Sequence, residues 1–477
     1  MPKFDYDLIV IGAGAGGLTC STGAGSLGAK VLLVEKEKKL GGDCLHYGCV
    51  PSKSLIKSAY AYNLMRHAEK YGLPKIDLKP VDFLSVAGRI RNIIDTIQIH
   101  DSPEYLKDKY NVDTKFGFAR FLDDHTISVD SVKITAKDFV VSTGSSPLIP
   151  AIEGIKDVPY ITNVDIFSLE KLPASLIVLG GGPIGLEMAQ AFARLGSKVT
   201  VIQSGGQLLP KEDEDVAQFV RAKLEREGIV ILLNAKAKKI TKQVNGVEVL
   251  VHQEEKILKI FGETLLVAAG RKPNLDGLDL EKVGVVYDRS GIKVDNRMRT
   301  STKNIFACGD SSGGYLFTHV ASYEAGIAMM NILYPAISFF HLPVTAGYSK
   351  VPWVTYLDPE VASVGLNEKR AKESGTKYIL HKQELKNDRA LAESESEGFI
   401  KLLINERGQV LGVQIVSFHA GDLIHEWVAA MNGKMNVFEI ANSIHAYPTM
   451  SEINRMASLN YFAAASHLRK LRMLLNI

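Results

Sequence analysis

Residues 41–53 run Gly-Gly-Asp-Cys-Leu-His-Tyr-Gly-Cys-Val-Pro-Ser-Lys, which sets Cys44 and Cys49 in a C-x4-C pair with Lys53 close by. A thiol reacts as its thiolate, and both a helix N-terminus and a nearby cation lower the pKa that controls it. The spacing of five allows an intrahelical disulfide, and so thiol–disulfide exchange chemistry. Two buried, inert cysteines are the alternative reading. The other two cysteines, Cys20 and Cys308, fall in apolar surroundings and read as core. Four cysteines are too few for a secreted disulfide framework, so a disulfide here is expected to be catalytic and the setting cytoplasmic.

Such a pair needs an electron source, and the flanking sequence supplies sites for one. Residues 7–11 form an apolar strand, followed by Gly12-Ala13-Gly14-Ala15-Gly16-Gly17, a helix of small residues and a second strand ending at Glu35. This is a βαβ dinucleotide unit. Gly12 permits the tight turn, Gly14 lets a pyrophosphate approach the backbone, Gly17 lets helix and strand pack closely, and Glu35 suits a ribose diol. The pattern recurs at residues 175–179, with Gly180, Gly182 and Gly185, and ends at Gln203. Glu35 and Gln203 both stand 23 residues beyond the first glycine of their units. One G-x-G-x-x-G is a weak signal, whereas two in full strand–turn–helix–strand context are strong. Gln203 and Ala189 permit a 2′-phosphate, yet Ser204-Gly205-Gly206 offers no arginine to grip it, so NADPH and NADH both stay open.

The 477 residues carry 46% apolar and 23% charged side chains, with 56 basic against 53 acidic. At roughly 100 to 200 residues per domain, the chain should hold three or four. A net charge of +3 argues against a nucleic-acid partner. No apolar run reaches the roughly 18 residues of a membrane span, and Met1-Pro2-Lys3 leads almost directly into the first strand, so no signal peptide is expected. None of the twelve histidines forms a convincing metal-ligand cluster, so no resident metal is expected.

The cysteine segment resembles the active-site signature of the class I pyridine nucleotide-disulfide oxidoreductases, the family of lipoamide dehydrogenase, glutathione reductase and mercuric reductase. Further stretches fit in order: Ser142-Thr143-Gly144-Ser145, Ala268-Ala269-Gly270-Arg271-Lys272-Pro273-Asn274, Ile305-Phe306-Ala307-Cys308-Gly309-Asp310 and His319-Val320-Ala321. The resemblance implies an α/β fold of two Rossmann-like domains, for FAD and NAD(P), plus a C-terminal α+β dimerisation domain. It implies Cys49 as the charge-transfer thiol, Cys44 as the interchange thiol, and Lys53 with Glu187 as an ion pair flanking the flavin. Thr143, Gly144 and Gly270 would mark domain crossings. Asp310 would bind the ribityl chain, and His319 would border the flavin. A homodimer would have each active site completed by the other subunit's last motif. The divisions expected are 1–148 (FAD), 149–272 (NAD(P)), 273–343 (completing the FAD domain) and 344–477 (interface).

That last motif departs from the disulfide reductases, which place a histidine before proline with a glutamate five residues on. Here it reads His445-Ala446-Tyr447-Pro448-Thr449-Met450-Ser451-Glu452, which puts Tyr447 at the catalytic position beside Glu452. A phenol near pKa 10 stays protonated where an imidazole near about 6.5 exchanges protons. Losing a positioned base typically costs about 10²- to 10⁴-fold. His445, with Met450 five residues on, reads as a capping or packing histidine. Mercuric reductases carry the same Tyr-x-Thr-Met-x-Glu arrangement, and reducing a thiolate-bound metal needs no general base. The sequence offers neither an N-terminal metal-binding cysteine module nor a thiol in its tail, 471–477.

The reading is therefore a mercuric-reductase-like, NAD(P)H-dependent flavoprotein passing electrons to a soft metal ion, a quinone or a disulfide. A divergent dihydrolipoamide dehydrogenase and a non-turnover flavoprotein sensor are the alternatives. Retention of Cys44, Cys49, Lys53 and Glu187 argues against the sensor. The apolar, basic segment 453–477, with Arg469, Lys470 and Arg472, suits dimer packing better than a membrane surface.

Overall fold

A computed structural model describes residues 3–334 and 344–464 of the chain. The described residues form two compact units, one from 3–180, 191–202, 235–334 and 344–347 and one from 181–190, 203–234 and 348–464.

The first unit is built on a seven-stranded sheet. Its centre is Tyr6–Ile11, paired in parallel with Val31–Glu35 on one side and Val132–Val141 on the other. Strand Ile305–Ala307 returns from far along the chain to pair in parallel with the end of Val132–Val141. Strand alternation explains the continuous apolar runs. Leu8, Val10, Val31 and Leu33 enter one core, and Ile9, Ile11, Leu32 and Val34 enter another on the opposite face. The helices Ala15–Ser26 and Thr318–Leu333 cover the first face. Their close approach depends on small residues: a β-carbon at Gly23 would lie 2.6 Å from Met329 Sδ, and one at Gly16 would lie 3.4 Å from Ala321 O. Cys20 and Cys308 are core residues on this face, as expected. A second parallel group joins Ser175–Leu179 to Lys198–Ile202 and to Thr264–Val267.

The second unit is organised by a five-stranded antiparallel sheet in the order Pro352–Thr355, Glu360–Gly365, Val410–Ser417, Phe399–Ile404, Ile379–Glu384. Helix Ala420–Asn432 packs on its first strands and helix Glu452–Ala464 on its last, around a core that includes Trp427, Ile415 and Ile453. All six residues of Phe399–Ile404 are buried, including Lys401, whose ammonium is enclosed by Asp213, Asp215 and Glu368. The mixed α/β architecture is the one expected. Of the basic, apolar C-terminal segment, residues 465–477, with Arg469, Lys470 and Arg472, lie outside the described residues. Among the described residues, no helix is long and apolar enough to cross a membrane.

Candidate active site

Cys44 lies in the short helix Gly42–His46, and Cys49 is the first residue of the next helix, Cys49–Arg66. The single cysteine-bearing helix expected from spacing is thus two. Tyr47 and Gly48 leave the helical region, and a β-carbon on Gly48 would stand 2.9 Å from Asp43 O, so only glycine fits the junction. Both cysteines carry free thiols, Cys44 half-buried and Cys49 exposed. A hydrogen bond to Cys49, followed by burial, pushes the Cys44 thiol far up from its usual value. On the other side, Thr318 Oγ1 stands 3.3 Å from Cys49 Sγ, at the first turn of Thr318–Leu333. Sequence reasoning chose the neighbouring His319, whose ring stacks on Phe317 with centroids 5.4 Å apart, and missed Thr318. Lys53 Nζ donates to Ser52 Oγ at 3.3 Å.

The first glycine loop has the geometry its spacing implies. Gly12 has φ +102°, and a β-carbon there would lie 2.5 Å from Ser142 O; one on Gly17 would lie 1.8 Å from Gly12 O. Gly14 is different, because the nearest atom to a β-carbon there is Gly42 Cα at 4.0 Å. Gly14 caps the helix Ala15–Ser26 without a side-chain hydrogen bond to its first N–H groups. Glu35 is buried, and its Oε2 accepts from Ala13 N at 2.7 Å.

The second loop repeats this in another chemistry. A β-carbon at Gly180 would come within 2.3 Å of Ala268 O, Gly182 has no atom within 4 Å, and Gly185 is buried. Gln203 Oε1 accepts from Gly181 N at 2.9 Å, so the amide does for this loop what the Glu35 carboxylate does for the first. Glu187 is buried and accepts from Tyr356 N at 2.9 Å.

The chain crossings meet in one polar network. Strands Ser145–Pro147 and Arg271–Pro273 pair antiparallel, with Gly270 (φ +131°) preceding the second. Thr143 Oγ1 donates to Asn274 O at 2.7 Å, and Asn274 N donates to Gly144 O at 3.0 Å. Arg271 donates through Nε to Ser145 Oγ at 2.7 Å and through Nη2 to Ser145 O at 2.8 Å. Ser145 in turn donates to Asp310 Oδ2. Burial raises the Asp310 pKa, opposed by the Ser145 bond and by Arg271. Arg271 also reaches Asp43, a residue that drew no attention in the sequence.

In the second unit, Tyr447 is 70% exposed, and its hydroxyl donates to Asp388 Oδ2 at 2.8 Å. Glu452 Oε2 accepts instead from Thr449 N at 3.3 Å. His445 is the buried, packed histidine expected: Nε2 lies 2.9 Å from Glu426 Oε1 and Nδ1 lies 3.1 Å from Ser443 O. Its carboxylate comes from helix Ala420–Asn432, not from the residue five positions on, and both ring nitrogens are occupied.

Comparison with known proteins meets this geometry. The pyridine nucleotide-disulphide oxidoreductase family matches residues 6–325, and its dimerisation domain matches residues 351–457. The chain is a pyridine nucleotide-disulphide oxidoreductase. This oxidoreductase is 35% identical to a dihydrolipoyl dehydrogenase of Geobacillus stearothermophilus over 94% of each chain. It is 34% identical to a mercuric reductase of Lysinibacillus sphaericus over 96% of this chain and 83% of the relative. Among solved structures it resembles the HOCl-induced flavoprotein disulfide reductase RclA from Escherichia coli, with TM-score 0.82, 27% identity, and 94% and 98% of the two chains covered. The oxidoreductase family binds FAD and NAD(P)H and is dimeric. The open space over Gly182 and the start of Ala15–Ser26, which no side chain caps, fit dinucleotide phosphates in this member.

Proposed function

We propose that this oxidoreductase takes electrons from NADPH or NADH, passes them through FAD and the Cys44–Cys49 pair, and delivers them to a thiophilic metal ion, as mercuric reductases do. The observation that carries the reading is the C-terminal motif: the phenol of Tyr447 is committed to Asp388, and the imidazole of His445 has both nitrogens engaged. Neither group offers a free base to a dithiol substrate, whereas a metal ion held by two thiolates needs none. The mercuric reductase relative and the solved Cu(II) complex of Escherichia coli RclA support this choice of acceptor.

FAD supplies, when bound, the two-electron relay between nicotinamide and disulfide. Gly12, Gly14, Gly17 and Glu35 would hold it at the pyrophosphate and ribose, with Thr143, Gly144, Gly270, Asp310, Lys53 and His319 around the remainder. Gly180, Gly182, Gly185, Glu187 and Gln203 would hold the nicotinamide nucleotide. Reduction of the disulfide takes up two electrons and two protons, giving the Cys44–Cys49 dithiol. Tyr447 and Glu452 would complete the acceptor site of the partner subunit. The division at residues 148, 272 and 343 belongs to the same reading.

The alternative acceptor is lipoamide, favoured by the dihydrolipoyl dehydrogenases among the relatives. Anaerobic titration with NADPH and NADH, followed by stopped-flow reoxidation with Hg(II), Cu(II), lipoamide, glutathione disulfide and a quinone, separates the readings. Rapid discharge by the metal ions and not by the disulfides is expected. Rapid discharge by lipoamide would overturn the metal assignment.

A further inference from the structure

Asp43 precedes Cys44 directly, and its carboxylate is shared between two other chain segments. Oδ2 lies 3.3 Å from Arg271 Nη2, and Oδ1 accepts from Asn163 Nδ2 at 3.2 Å. Asn163, itself buried, donates from the same nitrogen to Tyr47 O at 3.0 Å, so one amide fastens both ends of the turn that carries Cys44. The Arg271 side chain, only 12% exposed, lies between Asp43 and Asp310, whose Oδ2 is 3.8 Å from Nε. Asp43 therefore joins the cysteine turn to the network that reaches Asp310.

We infer that Asp43 is a positioning residue whose paired charge sets the dithiol–disulfide potential of Cys44 and Cys49. The inference rests on reading these cysteines as the redox pair. The thiolate that the reduced pair forms on losing a proton carries negative charge, and a fixed carboxylate one residue away opposes that charge while Arg271 offsets it. In a partly buried site both effects act through a lower effective dielectric than that of water. The neutral Asn163 clamp holds the turn and contributes no charge. The two halves of the ion pair thus act on the potential with opposite sign, which a purely structural tie would not produce.

The test equilibrates the flavin-containing protein with mixtures of reduced and oxidised dithiothreitol, which supplies the electron pair and two protons and is itself oxidised to its cyclic disulfide. Alkylation and mass spectrometry then count free Cys44 and Cys49. Asp43→Asn is expected to move the equilibrium constant about tenfold toward the dithiol, about 30 mV for a two-electron couple. Arg271→Gln is expected to move it toward the disulfide, and gives an independent reading if the first variant does not fold. Asn163→Ala is expected to stay within about threefold of the parent on the same scale. Charge variants that leave the constant unchanged, or that move it in the same direction, would overturn the role of Asp43. A parent protein whose cysteines do not cycle as one two-electron couple would instead sink the reading of the pair itself.

Discussion

Tyr447 donates its hydroxyl hydrogen to Asp388 at 2.8 Å, and this bond, with the charge of the carboxylate behind it, raises the phenol's pKa above its ordinary value. The exposed phenol thus holds its proton more tightly than a free tyrosine, and less of its basic form is present at neutral pH. Tyr447→His should raise NADH formation from dihydrolipoamide by at least tenfold, a fraction of the roughly 10²- to 10⁴-fold a positioned base supplies. Tyr447→Phe should give no such rise. An unchanged rate in the histidine variant would show that proton transfer at this position does not limit dithiol chemistry.

Thr318 Oγ1 lies 3.3 Å from Cys49 Sγ, and its hydrogen bonding lowers the Cys44 pKa against the larger effects that raise it. Hydrogen bonds to a thiolate favour the charged form. Thr318→Val should therefore displace the pH profile of iodoacetamide alkylation, measured on the reduced protein, toward higher pH. Thr318→Ser should restore the parent profile.

Lys401 is fully buried and lies 2.8 Å from Asp213, 2.8 Å from Asp215 and 2.7 Å from Glu368. Burial lowers its pKa, but the three carboxylates outweigh burial and the net direction is up. A raised lysine pKa contributes stability that is complete below the unfolded value of about 10.4 and is lost as pH rises beyond it. Lys401→Met leaves the carboxylates uncompensated and should cost about 3–5 kcal/mol at neutral pH, measured by denaturant unfolding. A milder loss would mean that water or Lys382 takes over the pairing.

Glu360 accepts from Gly421 N at 2.8 Å, and its pKa is raised to about 7 by burial first, then by Asp422, Asp358 and Glu187. A carboxyl with a folded pKa above its unfolded value destabilises the fold once pH exceeds the unfolded value, and the penalty is complete above the folded one. Glu360→Gln keeps an acceptor for Gly421. It should stabilise the protein at pH 8 by up to about 3 kcal/mol and make little difference at pH 4. Thermal unfolding of both forms across that range checks the sign.

The sequence by itself determined the parts whose chemistry is local. Glycine spacing dictated both nucleotide loops because φ above +100° at Gly12 and Gly180, and the contact of Gly17 with Gly12 O, exclude any side chain. The matched offset of Glu35 and Gln203 was legible for the same reason, since each bonds the backbone of its own loop. The two-helix break between Cys44 and Cys49 escaped pattern reading, although Gly48 was its visible signal. Residues brought together from distant segments were not legible. Asp43 meets Arg271 and Asn163, Cys49 meets Thr318, His445 meets Glu426 and Tyr447 meets Asp388 only once sheets and helices have packed. A hydrogen bond between residues far apart in the chain leaves no periodicity in the sequence. Tertiary structure alone therefore decided which partner each candidate side chain received.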